Sequence, residues 1–445
     1  MKPFNRTIGI SVILIIVNFL LINIGFSQAK GDSVLQSATL QQCVQYAMDR
    51  QPLVKQALID EEITENNIKS RLADWFPQVN FNYTFQHNFQ VPVAMIGGNT
   101  VRLGVENTSG FSFTGNQTIF NRDVLLASRS RADIRRQAKQ NTESNKIDVA
   151  VNVSKAFYDL LATEQQIRVM LENIARLERS YKDAYSQYQA GITDKTDYKR
   201  ASIALNNAIA SKKSFEALAT ARLVVLKATM NYPAEEPLDI VYDSLQMENE
   251  IVLDTLRSPE YRNRVEYRLL ETQRSLQQSN IDYNKWAYLP SLSANGAYNI
   301  NYLNNEFNKL YNQSFPASYA GLTLSLPIFQ GGKRKYNLSV AKWQLKRTEQ
   351  DIISLKNGVN QEYNAAMANY KSNLATYEAL KVNLELAKEV YDIIQLQYKS
   401  GVKTYLEVIT SETDLRTAQI NYFDALYALL SSKIDVQRAL GEIKW

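Results

Sequence analysis

A glycine that stops a very long helical run, and does so twice, limits what this chain can become. The first stands in Tyr188-Gln189-Ala190-Gly191-Ile192-Thr193-Asp194-Lys195-Thr196-Asp197. The second comes 210 residues later, in Tyr398-Lys399-Ser400-Gly401-Val402-Lys403-Thr404-Tyr405-Leu406-Glu407. Before them lie Arg122–Tyr188 and Lys333–Lys399, helix-compatible stretches almost free of Gly and Pro. After them the pattern is helical again, over Asp194–Met230 and Leu406–Gly441. A Gly behind a helix supplies the left-handed residue that closes it, so Gly191 and Gly401 are read as the tips of two hairpins. About 65 residues at 1.5 Å each extend roughly 100 Å, longer than globular domains accommodate. Ile167, Leu171, Ile174, Tyr181, Tyr185 and Tyr188 recur about every 3.5 residues, the period of helices packed side by side.

Ahead of each long helix the period changes to two. In the first half Thr39-Leu40-Gln41-Gln42 is a capping box that opens a helix running to about Asp74. Trp75-Phe76-Pro77 ends it, because Pro cannot donate and forces its predecessor into extended geometry. Val79, Phe81, Tyr83, Phe85, His87 and Phe89 then alternate with Gln78, Asn80, Asn82, Thr84, Gln86, Asn88 and Gln90. Such a strand has one aromatic face and one polar, uncharged face, as a strand between lipid and a wet lumen requires. Residues 91–110 read as a loop. A second strand follows, with Phe111 and Phe113 opposite Ser112, Thr114, Asn116 and Thr118.

The second half repeats this order. Ser258-Pro259-Glu260 is read as a helix start, with Pro at the first position. Tyr288-Leu289-Pro290 ends that helix, and Leu292, Ala294, Gly296, Tyr298, Ile300 and Tyr302 form one face of the next strand. After a loop over 304–318, Leu322, Leu324 and Leu326 oppose Thr323 and Ser325. The offset stays near that of the two tips, so the chain is an internal duplication. Its expected parts are a signal peptide (1–29), a first repeat (30–230), an acidic linker (231–257) and a second repeat (258–445).

Lys2 and Arg6, an apolar run through Ile22 and the small-x-small site Ser27-Gln28-Ala29 mark residues 1–29 as a secretory signal. Cys43 is the only Cys and His87 the only His, so neither a disulfide nor a His/Cys metal or nucleophile cluster is expected within one chain. Glu61-Glu62 and Glu235-Glu236 read as surface charge, and no catalytic constellation or cofactor motif appears. The net charge of +5, without a basic block, argues against a nucleic-acid partner.

Four strands cannot close a barrel, and an open sheet edge in lipid leaves backbone groups unpaired. The chain must therefore oligomerise, and three copies would supply twelve strands. The order helix, Pro-ended strand pair, long helix, Tyr-x-[Ala/Ser]-Gly tip and return helix, given twice, closely resembles the TolC-type outer-membrane efflux proteins. The run Leu326–Gly332 and the closing Arg438-Ala439-Leu440-Gly441 add to the likeness, which covers nearly the whole chain after the signal. The resemblance implies an α+β membrane protein: a homotrimeric channel whose 12-stranded barrel in outer-membrane lipid continues into a periplasmic α-helical barrel. It also implies a passive duct without cofactors, docking with a periplasmic adaptor and an inner-membrane RND, ABC or similar transporter of a Gram-negative cell.

By position after each tip Gly, Tyr398, Lys403 and Glu407 in the second hairpin and Thr196 and Asp197 in the first fall on the family's gate positions. Lys403 is expected to pair with Asp197 or Asp194, and Glu407, repeated threefold, to make an acidic ring. Gly191 and Gly401 mark the tips on which an adaptor would dock. Two departures stand out: well-known members have Arg in place of Lys403, and a second carboxylate where this chain has Thr410. Ordinary solvated turn charge is the bland alternative for these residues. For the whole chain the rivals are a periplasmic adaptor or coiled-coil scaffold, which would have one hairpin, and an exported enzyme, which would need convergent titratable groups.

Overall fold

The computed structural model describes residues 35, 37–242, 250–255, 257–443 and 445; the signal segment 1–29 lies outside them. In chain order the elements are β1 (Ser37–Ala38), α1 (Leu40–Arg50), α2 (Pro52–Ala73), β2 (Gln78–His87), β3 (Val93–Ile96), β4 (Asn99–Arg102) and β5 (Asn107–Phe120). The first hairpin follows as α3 (Arg122–Gln189) and α4 (Lys195–Met230), then β6 (Asp239–Ile240). The second half is α5 (Val265–Trp286), β7 (Ser291–Asn304), β8 (Ser314–Ser325), α6 (Lys333–Lys399) and α7 (Tyr405–Leu440).

The main sheet is antiparallel in the order β2-β5-β7-β8, so the two repeats are joined in its middle. The register confirms the facing read from alternation: Phe81 pairs with Phe113, Tyr83 with Phe111, Phe111 with Ile300 and Ala294 with Leu322. Gln78, Asn80, Ser112, Thr114, Asn295 and Asn299 lie on the other face, where Ser112 Oγ donates to Asn299 Oδ1 at 2.6 Å. On that polar face a Cβ on Gly110 would meet Asn301 Oδ1 at 3.1 Å and Thr84 Oγ1 at 3.2 Å, and on the aromatic face Phe113 and Tyr298 are exposed. His87 sits at the strand end farthest from the helices, its Nδ1 2.7 Å from Asn107 Oδ1. The helices continuing from the strands keep their order: α2 packs on α3, α3 on α5, and α5 on α6.

The main core lies where the helices crowd together below this layer. Phe157, Leu160 and Leu161 of α3 meet Leu226 and Met230 of α4, Tyr370 of α6, and Leu429 and Leu430 of α7. Cys43 on α1 is buried there, and burial pushes its thiol up to about 12. The acidic linker contributes to this core rather than skirting it. Tyr232 and Leu238 are buried, Tyr232 Oη donates to the carbonyls of Leu35 and Pro237, and β6 pairs in parallel with β1.

Several boundaries differ from those read in the sequence, each for a local reason. The Thr39 capping box is present, but the first helix breaks at Gln51, which is extended because Pro52 follows it. The stretch read as a loop over 91–110 contains the hairpin β3–β4, turned by Gly97 and Gly98 at positive φ, and the first residues of β5. The second loop is shorter than 304–318: a 3-10 turn, Phe307–Asn312, buries Leu310 and leads into β8 at Ser314. Pro316 lies within β8, which tolerates it because β8 is an edge strand. Ser258-Pro259 does not start a helix. α5 begins at Val265, after a 3-10 turn at Tyr261–Asn263, where buried Arg264 is held by Glu266, by Glu362 at 3.0 Å and by the Arg438 carbonyl at 2.9 Å.

Candidate functional site

The two glycine tips lie at the end of the molecule opposite the sheet. Gly191 has φ +70° and Gly401 φ +74°, conformations that an L side chain rarely adopts. Each tip closes alike. The Ile192 amide donates to the Gln187 carbonyl at 2.9 Å, and the Val402 amide to the Gln397 carbonyl at 2.9 Å. These bonds satisfy carbonyls that a helix end leaves open.

The return helices start differently. In the first hairpin the Asp194 side chain accepts from the Thr196 amide at 3.1 Å, and Asp197 lies half-buried in the first turn. In the second, Thr404 and Glu407 form a capping box: Glu407 Oε2 accepts from the Thr404 amide at 2.9 Å and from its hydroxyl at 3.0 Å. The other oxygen, Oε1, accepts from Lys403 Nζ at 2.6 Å. Those bonds, the one from Lys403 foremost, hold the Glu407 carboxyl down at about 2.

This geometry corrects one expectation. Within the chain Lys403 is engaged by Glu407 four residues on, not by Asp194 or Asp197. The capping box turns Glu407 back towards the tip, where it meets Lys403 first. The two proposed devices, a lysine latch and a glutamate ring, therefore share one ion pair.

At the tips Tyr398 ties one hairpin to the other. Its Oη donates to Gln187 Oε1 on α3 at 3.2 Å. Burial raises its pKa, and the nearby charges of Asp197 and Asp183 add to the effect. Its ring packs 5.8 Å from that of Tyr405, which is buried with Ala184 and Ala201 in a small apolar cluster of its own. Gln187, Tyr405 and these two alanines belong to the site but were not singled out from the sequence. The signal was present: Gln187 is a polar residue one turn before Gly191, and small residues mark a close helix approach.

Known proteins carry the same plan. The family described as outer membrane efflux protein matches residues 43–231 and 263–442. The chain belongs to this family. Its members are efflux proteins of the outer membrane and not enzymes. Outer membrane protein TolC of Vibrio cholerae is 19% identical over 431 residues, spanning 92% of both chains. TolC of Escherichia coli K12 is 21% identical, over 94% of this chain and 85% of that one. Among solved structures, the open state of the Neisseria gonorrhoeae MtrE outer membrane channel matches with TM-score 0.72 at 18% identity, covering 94% of each chain. The chain is an outer-membrane efflux channel protein, and the adaptor, scaffold and enzyme alternatives fall away.

Proposed function

We propose that the chain is one third of a passive export duct: a homotrimer with a 12-stranded barrel in outer-membrane lipid and a helical barrel in the periplasm. Through its tips the duct receives a periplasmic adaptor, which links it to an inner-membrane transporter of RND, ABC or similar type. The observation that carries this reading is the matched order of strands and helices. β2 and α2 bound one side of the chain, β8 and α6 the other, and both edge strands have a free edge. Leu58, Ile59 and Ile63 on α2, and Tyr336, Val340 and Trp343 on α6, are exposed on those same outer elements. An open edge in lipid is unstable, and a second copy offering its β2–α2 side to the β8–α6 side of the first would cover both at once.

Tyr398, Lys403, Glu407, Asp194, Thr196 and Asp197 then encircle the periplasmic entrance as its gate, and Gly191 and Gly401 present the docking tips. Between neighbouring copies Lys403 remains available to a carboxylate of the adjacent first hairpin, because a half-exposed ion pair exchanges partners at modest cost. Heat-modifiable migration of protein extracted from outer membranes in mild detergent tests the assembly. A trimer band that collapses on boiling is expected, and a stable monomer would overturn the reading.

A further inference from the structure

Two apolar clusters hold the hairpins of one chain together, and they do not meet. The main core extends along α3 towards the tips as far as Ala162, and along α7 as far as Tyr422, Phe423 and Ala425. The tip cluster is Ala184, Ala201 and Tyr405 with their neighbours. Between the two, among buried apolar residues such as Met170 and Leu177 of α3 and Leu415 of α7, the two helices are joined by a buried polar contact. Glu412 of α7 is 2% exposed and Asn173 of α3 is 1% exposed. Asn173 Nδ2 donates to Glu412 Oε1 at 3.2 Å, and Arg176 Nε donates to the same oxygen at 3.3 Å. The Arg176 guanidinium also lies over the ring of Tyr391, buried on α6, at 5.9 Å. Three helices are thus joined at one level.

We propose that Asn173, Arg176 and Glu412 are the fulcrum of the periplasmic entrance: α7 stays joined to α3 here while its segment Thr404–Ser411 turns below. The inference rests on the duct reading and its movable gate. Two features of the geometry support it. Both donors converge on a single oxygen, while Glu412 Oε2, Arg176 Nη2 and Asn173 Oδ1 have no hydrogen-bond partner among the described residues. A one-point joint allows rotation that a two-point clamp would resist. Separation is another matter, because drawing the helices apart would leave a buried charge unpaired, the most unfavourable way to break such a contact. Below the joint, α7 is held to the first hairpin by the apolar contact of Tyr405 with Ala184 and Ala201, while the Tyr398–Gln187 bond, which can be broken and remade in water, joins α6 to α3.

Distances between spin labels, read by pulsed electron paramagnetic resonance, test the proposal. One pair, Leu171→Cys with Asp414→Cys, reports at the level of the joint. The other, Ile192→Cys with Val402→Cys, reports at the tips; all four positions are exposed. Labelled chains are diluted with unlabelled chains so that only distances within one chain are read. Tyr398→Phe with Lys403→Glu should change the tip distance and leave the upper distance fixed. Adding Glu412→Gln should free the upper distance as well, and Asn173→Ala, which uncovers no charge, should do so by a smaller amount. An upper distance that moves in Tyr398→Phe with Lys403→Glu, while Asn173, Arg176 and Glu412 are all intact, overturns the fulcrum. So does one that stays fixed after both Glu412→Gln and Asn173→Ala. A tip distance that never changes removes the gate itself, and the fulcrum with it, a result distinct from the other two.

Discussion

Gly401 and Gly441 end successive long helices with the same φ of +74°, yet alanine should be tolerated very differently at the two. At Gly401 an added Cβ meets nothing within 4 Å. The cost there is the left-handed backbone alone, roughly 1–2 kcal/mol. At Gly441 the same Cβ would lie 2.7 Å from both the carbonyl carbon and the oxygen of Asn263, and 3.0 Å from the Arg264 nitrogen. These are main-chain atoms and cannot rotate away. Overpacking of this kind adds about 1–3 kcal/mol, giving roughly 2–5 kcal/mol for Gly441→Ala with the backbone term included. The displaced segment also carries Arg264, whose bond to the Arg438 carbonyl at 2.9 Å joins the end of α7 to the start of α5. Guanidinium unfolding of the detergent-solubilised protein, followed by far-ultraviolet circular dichroism, gives both midpoints. A small shift is expected for Gly401→Ala and a shift roughly 1.5- to 4-fold larger for Gly441→Ala. Equal shifts, or a larger one at Gly401, would refute the steric reasoning.

Tyr398→Phe combined with Lys403→Glu should raise single-channel conductance in planar bilayers. It removes the Gln187 bond, worth about 0.5–1.5 kcal/mol per copy, and sets two like charges side by side; unchanged conductance would sink the latch. Glu407→Gln should weaken cation preference without raising conductance, because it frees Lys403 for the carboxylates of the adjacent first hairpin; a rise in conductance would mean that the Lys403–Glu407 pair itself keeps the entrance shut. Bonding depresses the Glu407 carboxyl to about 2. Whatever Glu407 contributes to the tip is therefore complete above the usual carboxylate range and is lost only as pH falls towards 2. Reversal potentials should show the same cation preference at about pH 4 as at neutrality, where an ordinary glutamate would already be titrating. Phe85→Arg should block assembly, since a charge on the lipid side of a barrel costs roughly 2–4 kcal/mol near mid-bilayer. Thr84→Arg, on the polar face, should assemble and alter conductance; the reverse pattern would mean that the faces have been exchanged.

What could be read from the sequence was whatever rests on local periodicity. Alternation in Val79–Phe89 fixes which side chains share a face, and pairing with β5 preserves it. Gly191 and Gly401 are legible because only a left-handed residue closes a helix in that way. The misread stretches depend on partners far away in the chain. Pro316 is admissible only because β8 lies at an edge, and Arg264 is placed by Glu362 and the end of α7. At the tip, Lys403 has three carboxylates within reach of a sequence argument, and capping geometry decides for Glu407. The buried Glu412 could not be anticipated from its neighbours Ser411 and Thr413; its partners stand more than 230 residues away on α3.

The two tips are copies in outline but not in chemistry: one begins its return helix with Asp194 and has Asp197 in the first turn, the other with Thr404, Glu407 and Lys403. Six identical hairpins around an axis would set every charge beside its own kind. A doubled chain escapes that constraint. In the proposed trimer, with two tips alternating around the ring, sixfold likeness would be kept in the wall, where packing needs it, and given up at the rim, where cation must meet anion. The duplication would then do more than lengthen the chain: it would allow a nearly sixfold tube to have a mouth of only threefold symmetry, with neighbours that complement each other.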